Sequence, residues 1–186
     1  MKLIDVRKIY EGKYLTYYIA DYQNNDNKIK SYEFISRDKN ITKENFGNNR
    51  PAGVGLVPFS MDKSKILLQS EFRLATNRKV YNFPAGLIDE GETPEDAAKR
   101  ELKEETGVDL KEIIDVLSPS YASQGTSDEL MVIVICKCEG EIVNSTFVDE
   151  EIEARWYSKE EIKELLKEGA YMSVRTQMFL WQWANE

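Results

Sequence analysis

The amino-acid sequence predicts an α/β fold in which a mixed core of strands and helices follows a small N-terminal antiparallel β element. Near the start of the 186-residue chain, residues 14–22 and 28–36 are rich in aromatic and β-branched side chains. The polar segment Gln23–Asn27 separates them, a pattern typical of a β-hairpin. Apolar runs of strand length then alternate with helical segments, the clearest being Pro94–Thr106, and this interleaving indicates the mixed α/β core.

The other elements follow from the alternation of polar and apolar segments along the chain. Residues 37–50 are polar and are predicted to form a loop or linker. Residues 1–48 are therefore assigned to the N-terminal element and residues 49–186 to the main domain. Apolar runs predict strands at residues 54–59, 66–72, 113–117, 130–138 and 154–157, and helical patterns predict helices at residues 159–168 and 174–184.

The composition excludes several classes of function. The formal net charge is −8 and no stripe is dense in Lys and Arg, which argues against a long nucleic acid as partner. No apolar run approaches the roughly 18–20 residues that span a bilayer. The N-terminus also lacks the apolar stretch of a signal peptide, so no membrane partner and a cytoplasmic location are expected.

The chain contains no histidine. Its absence removes the usual zinc site and every nucleophilic mechanism that pairs serine or cysteine with histidine. Any chemistry must therefore use carboxylates, metal ions, arginine, lysine or tyrosine side chains.

The helix at residues 94–106 is marked at both ends. Thr93 is suited to the N-cap, Pro94 to the first helical position, and Asp96 completes a pattern like that of a capping box. Gly107 is suited to the position that ends the helix.

Three glutamates of this helix fall on one face. At 100° per residue, Glu101, Glu104 and Glu105 lie within an arc of about 100°. Like charges at these spacings repel, and near the C-terminus they also oppose the helix dipole. A divalent cation would reverse that cost, because hard cations prefer oxygen ligands. The alternative is a solvated acidic face that neighbouring basic residues partly balance.

The wider context favours the cation. Gly86 is followed by five residues and Glu92, then by seven residues and the run Arg-Glu-Leu-Lys-Glu-Glu-Thr-Gly-Val that ends at Val108. This spacing resembles the Nudix box at every defined position, in the expected loop, helix and loop setting. On this motif the chain is identified as a member of the Nudix family.

The resemblance implies an α/β/α sandwich with a mixed sheet, and hydrolysis of a nucleoside diphosphate linked to another group. It also implies ligands for Mg²⁺, with Mn²⁺ as an alternative: Glu101, Glu105, Glu104 and the backbone carbonyl of Ala85. Gly86 is expected at the substrate, because a side chain there could obstruct the close approach of a diphosphate.

Further roles follow from the same resemblance. Arg100 and Glu92 are expected to orient the site through charge-assisted hydrogen bonds rather than to react. Metal ions neutralise the diphosphate and acidify a bound water, and a carboxylate positions or deprotonates that water. Glu104, Glu150 and Glu151 are the candidates for this carboxylate, although the last two also fit a solvated loop.

Four segments outside the box resemble the ADP-ribose pyrophosphatase branch of the family: Glu33–Arg37, Gln69–Arg73, Phe83–Gly86 and Ser123–Glu129. By this resemblance Arg73 and Glu129 contact the diphosphate and the terminal ribose. Arg37 reaches the nucleotide from the partner subunit of a homodimer formed by the N-terminal element. Ordinary surface charges are the alternative for all three residues.

One departure bears on the substrate. Gln124 stands where the branch has a marker proline, and glutamine does not fix the shape of a loop as proline does. ADP-ribose, cleaved to AMP and ribose 5-phosphate, is the first candidate substrate. The alternatives are another nucleoside diphosphate sugar, an unlinked nucleotide, or a non-catalytic domain that senses nucleotides.

Overall fold

Among residues 1–143 and 151–186, which a computed structural model of the protein describes, eleven strands and three helices are present. The strands are β1 Lys2–Glu11, β2 Thr16–Gln23, β3 Ile29–Ser36, β4 Gly53–Phe59, β5 Lys65–Arg73, β6 Arg78–Asn82, β7 Ala85–Leu87, β8 Asp109–Val116, β9 Ser120–Tyr121, β10 Leu130–Glu139 and β11 Ile152–Ser158. The helices are α1 Pro94–Thr106, α2 Lys159–Lys167 and α3 Val174–Asn185. None of the helices in these two ranges is long and apolar enough to cross a membrane.

The chain divides into two compact units. The first consists of Met1–Ala52 and Pro119–Met131, and its centre is an antiparallel sheet with the order β1-β2-β3. The predicted small antiparallel β element is thus confirmed, but it has three strands where the sequence predicts a two-stranded hairpin. Strand β1 escapes prediction because it is charged and mostly exposed, so no polar and apolar alternation marks it.

A small aromatic core holds the first unit together. Tyr18 and Phe34 stack with ring centroids 5.4 Å apart, and the Tyr18 hydroxyl donates to the carbonyl oxygen of Asp38 at 2.9 Å. The segment Pro119–Met131 is attached to β3, since the N–H of Ile35 donates to the Thr126 carbonyl at 2.9 Å. The division of the chain at residue 48 stays a prediction.

The second unit, Gly53–Ser118 and Val132–Glu186, is built on a mixed sheet with the order β11-β5-β4-β10-β8. Successive strand residues point to opposite faces, so β4, which is buried throughout, packs against helices on both sides. Helix α1 covers one face, on which Val54, Leu56 and Leu67 lie. Helices α2 and α3 cover the other, on which Val57, Phe59, Ile66 and Leu68 lie. The predicted α/β sandwich is confirmed.

Helix α1 has the bounds and the caps that the sequence predicts. The Thr93 hydroxyl accepts from the N–H of Asp96 at 3.1 Å, and Pro94 occupies the first turn. At the other end Gly107 adopts φ 74°, and its N–H donates to the Lys103 carbonyl at 2.9 Å. Local hydrogen bonds therefore fix where the glutamate-bearing helix begins and ends.

Strand β7 has only three residues and is not predicted from the sequence. It pairs with β4, with Ala85 opposite Gly55 and Gly86 opposite Val54. Glycine within so short a segment gives no strand signal, and only the partner strand orders it. The pairing fixes the position of Ala85 and Gly86 beside helix α1.

Candidate active site

A cavity of about 390 Å³ opens in the second unit where β5, β7, α1 and the start of β11 meet. Its lining residues are Glu71, Phe72, Arg73, Leu74, Ala75, Ala85, Glu105, Glu151 and Ile152. The structure therefore brings together four of the site residues that the sequence predicts: Arg73, Ala85, Glu105 and Glu151.

Glu105 is the most buried of the helix glutamates, with 9% of its surface exposed. Its Oε2 accepts a hydrogen bond from the N–H of Ala85 at 3.2 Å. Burial raises the pKa of Glu105 to about 8; a hydrogen bond from Gln69 opposes this rise, and the charges of Glu101 and Glu71 add to it. A carboxylate in these surroundings needs a positive charge to stay ionised.

Gly86 leaves room for a second carboxylate. A Cβ atom placed on Gly86 would lie 1.9 Å from Cδ of Glu101, and 2.0 and 2.2 Å from its two carboxylate oxygens. A side chain at residue 86 would force the Glu101 carboxylate to move away, so the glycine lets Glu101 approach the β7 backbone. Space for the Glu101 side chain is therefore a second reason for glycine at position 86, in addition to the approach of a diphosphate that the sequence analysis expects.

Arg100 links the loop before the helix to the glutamate face. Its Nε and Nη2 donate to the two carboxylate oxygens of Glu92 at 3.0 and 2.9 Å, and Nη1 donates to Glu101 at 2.7 Å. Nη2 also donates to the Leu87 carbonyl at 2.8 Å. The hydrogen bond from Arg100 lowers the pKa of Glu92, and the network restricts the orientation of Glu101.

Glu104 lies at the edge of this network. Its side chain is 44% exposed, and one carboxylate oxygen is 3.4 Å from Nη1 of Arg100. Of the three glutamates on this face, Glu105 is therefore buried, Glu101 is held by Arg100, and Glu104 is open to solvent.

The donor atoms suit a hard divalent cation. Within residues 1–143 and 151–186, no group of three or more Asp, Glu, Cys or His side chains is already arranged as a cation site. Two of the side chains of α1 that approach β7, those of Glu101 and Glu105, are nonetheless carboxylates, the ligands that Mg²⁺ and Mn²⁺ prefer. The charge of Glu101 adds to the effect of burial in raising the pKa of Glu105.

Two polar residues of β5 were not predicted as site residues. Glu71 is buried in the cavity wall. Its Oε1 accepts a hydrogen bond from Asn82 Nδ2 at 2.9 Å and forms an ion pair with Arg73 Nε, also at 2.9 Å. Gln69 is buried as well and lies beside Glu105. Both interrupt an apolar strand at a spacing of two residues, on the face that carries Leu67. That interruption is the sequence signal that could have identified them.

The remaining residues that the sequence analysis singles out lie in the first unit or outside the described residues. Arg37 and Glu129 are both in the first unit and form an ion pair, with Nε and Oε1 2.8 Å apart. Gln124 lines a cavity of about 430 Å³ in the same unit, together with aromatic side chains that include Tyr32 and Phe46. Glu150 lies outside the described residues.

Two kinds of sequence comparison give the chain's relatives. The family model of the NUDIX domain matches residues 49–176. An ADP-ribose pyrophosphatase of Bacillus subtilis is 28% identical over 136 residues, and an ADP-sugar pyrophosphatase of Mus musculus is 30% identical over 99 residues. These matches cover 73% and 53% of this chain, but only 65% and 44% of the relatives' own lengths.

Solved structures give the same fold. A crystal structure described as that of an ADP compounds hydrolase superposes with a TM-score of 0.74 at 22% identity, covering 98% of this chain and 93% of its own. Identity at that level supports the shared fold alone. The family model, which extends over more than half of the sequence, confirms the prediction made from the Gly86–Val108 spacing. The chain belongs to the Nudix family.

Proposed function

We propose that this protein is a metal-dependent hydrolase of the diphosphate linkage in nucleoside diphosphate derivatives, with ADP-ribose as first substrate and AMP and ribose 5-phosphate as products. The observation that carries the proposal is the approach of two box glutamates, Glu101 and Glu105, to the β7 backbone at Ala85 and Gly86. The same cavity is bounded by Arg73, a cation suited to phosphate oxygens.

The cofactor of this reaction is Mg²⁺, with Mn²⁺ as an alternative. Glu101 and Glu105 hold it, and Glu104 and the carbonyl oxygen of Ala85 are the further ligands. When bound, a divalent cation neutralises diphosphate charge and acidifies a coordinated water.

The chain supplies the remaining tasks through its own side chains. Arg73 forms an ion pair with Glu71 through Nε, and its side chain is half-exposed. The other two guanidinium nitrogens are left to bind diphosphate oxygens. Arg100 and Glu92 hold Glu101 in place rather than react. Proton removal from the attacking water falls to a carboxylate, and Glu151 is the candidate that lines the cavity, with Glu104 and Glu150 as the others.

The substrate is inferred from the relatives and from the residue at position 124. The relatives named above are an ADP-ribose pyrophosphatase and an ADP-sugar pyrophosphatase, which favours an ADP-linked compound. Gln124 in place of a proline keeps another nucleoside diphosphate sugar, or an unlinked nucleotide, as the alternative. Arg37 and Glu129 are proposed to contact the nucleotide and the terminal ribose. A homodimer formed through the N-terminal sheet and a cytoplasmic location stay predictions.

A substrate panel tests the proposal. Purified protein is incubated with Mg²⁺ and, separately, with ADP-ribose, other nucleoside diphosphate sugars and deoxynucleoside triphosphates, and release of nucleoside monophosphate is measured. The expected result is Mg²⁺-dependent AMP release that ADP-ribose supports best. A ranking with ADP-ribose at the bottom would move the substrate to the alternative class. Nucleotide binding without turnover in Mg²⁺ or Mn²⁺ would instead identify a sensing domain.

A further inference from the structure

Gln69 places an amide where an apolar residue would be expected. On strand β5 it follows two fully buried leucines, Leu67 and Leu68, and only 2% of its own surface is exposed. Because side chains alternate along a strand, Gln69 shares a face with Leu67, which packs in the cluster formed with helix α1. The amide is therefore directed to the side of the sheet that α1 covers.

Its two polar atoms are in different situations. The amide makes a hydrogen bond to the carboxylate of Glu105, and the N–H group is the donor. The carbonyl oxygen Oε1 is buried and has no hydrogen-bond partner among residues 1–143 and 151–186. A buried acceptor without a partner destabilises a protein, whereas an apolar side chain of the same size would avoid that cost. Packing alone therefore does not account for glutamine at this position.

We infer that Gln69 is a positioning residue of the metal site: its N–H group holds Glu105 in the orientation that a cation requires, while Oε1 accepts a hydrogen bond from a water of the cation's hydration shell. The inference rests on the proposed function. Mg²⁺ keeps several waters when it binds to proteins, and these waters need acceptors. Residues that hold a ligand in place typically change metal affinity or activity by about 10–100-fold when they are replaced.

The test is the replacement Gln69→Met, which keeps the length of the side chain and removes both polar atoms. Mn²⁺ binding is measured by electron paramagnetic resonance, and Tm is measured with and without Mg²⁺. We expect Mn²⁺ to bind at least about tenfold more weakly and the Mg²⁺-induced rise in Tm to shrink. In steady-state assays the Mg²⁺ concentration for half-maximal activity should rise more than the KM for substrate.

The control is Thr16→Val in the first unit. Thr16 is also buried, and its Oγ1 is the other buried side-chain polar atom without a partner in residues 1–143 and 151–186. Thr16→Val should change Tm without Mg²⁺ and leave Mn²⁺ affinity at the wild-type value. If Gln69→Met behaves like this control, Gln69 is structural and the inference is wrong.

A second variant covers the case in which Gln69→Met does not fold. Gln69→Glu adds a carboxyl group whose charged form is disfavoured by burial without a cation and is stabilised by a cation. It should lower Tm in a chelator and increase the Mg²⁺-induced rise in Tm above that of the wild type; an unchanged rise would overturn the inference. If wild-type protein binds no Mn²⁺ at all, the proposed function itself fails. If the wild type binds Mn²⁺ and hydrolyses the substrate, and Gln69→Met has the same Mn²⁺ affinity, only the role inferred for Gln69 is wrong.

Discussion

Glu105→Gln is expected to stabilise the metal-free protein while it removes activity. Burial raises the pKa of Glu105 from 4.5 to about 8. In the unfolded chain this carboxyl loses its proton near pH 4.5, whereas in the folded protein it keeps the proton until about pH 8. The unfolded state therefore binds fewer protons in that interval, and the stability of the metal-free protein falls as the pH rises through it. Glutamine has no proton to lose and avoids this cost.

The size of the effect follows from the two pKa values. From pH 4.5 to pH 7 is about 2.5 pH units, and at about 1.36 kcal/mol per unit the cost at pH 7 is at most about 3 kcal/mol. Relaxation around a buried charge reduces it, so a gain of about 1–3 kcal/mol is expected for the variant. In a chain of this length each kcal/mol corresponds to about 2–4 °C in Tm. At pH 4.5 the gain should be close to zero.

Thermal unfolding in a chelator, at pH 4.5 and at pH 7, measures this gain. Adding Mg²⁺ at pH 7 should raise the Tm of the wild type and leave that of Glu105→Gln nearly unchanged, while turnover of the variant falls by at least about a hundredfold. Glu104→Gln is the matched control, since that side chain is 44% exposed and its replacement should not change the Tm of the metal-free protein. A variant less stable than wild type at pH 7 would refute the burial argument. Near-wild-type turnover would remove Glu105 from the metal site.

Three further predictions concern the same site and the loop that carries Gln124. Gly86→Ala should displace Glu101, because the added Cβ would lie 1.9 Å from its Cδ. We expect at least about a tenfold loss of turnover with little change in Tm, since the displaced carboxylate is the end of a flexible side chain, and a fully active variant would show that Glu101 moves freely. Arg100→Lys loses the paired hydrogen bonds to Glu92, so the Mg²⁺ concentration for half-maximal activity should rise about tenfold, as a metal titration would detect. Gln124→Pro should raise kcat/KM for ADP-ribose relative to other nucleoside diphosphate sugars; an unchanged ratio across the substrate panel would mean that this residue does not set specificity.

Local signals allowed the sequence to predict helix α1 and the residues that it carries. Thr93, Pro94 and Gly107 act within a few residues of themselves, so the cap hydrogen bonds form as the pattern indicates. The apolar run of β4 likewise predicts a strand that is buried on both faces. The spacing of the Nudix box is also local, and the family follows from it.

Short strands were harder to predict. Strand β1 is charged and exposed, and β7 has three residues that include a glycine, so neither carries a periodic pattern. Each forms because a partner strand supplies its hydrogen bonds, β2 for the first and β4 for the second. Pairing between distant segments does not leave a local signal.

The family and the acidic face of α1 could be predicted from spacings within one segment, and the α/β class from the alternation of strand and helix patterns along the chain. The residues that surround that face depend on the tertiary structure. Residues 69 and 71 lie far along the chain from residue 105, and sheet packing brings both near its carboxylate. The same packing leaves Glu101 the space beside Gly86. Burial and the repulsion between carboxylates arise from these approaches, and the pKa of Glu105 is raised for that reason.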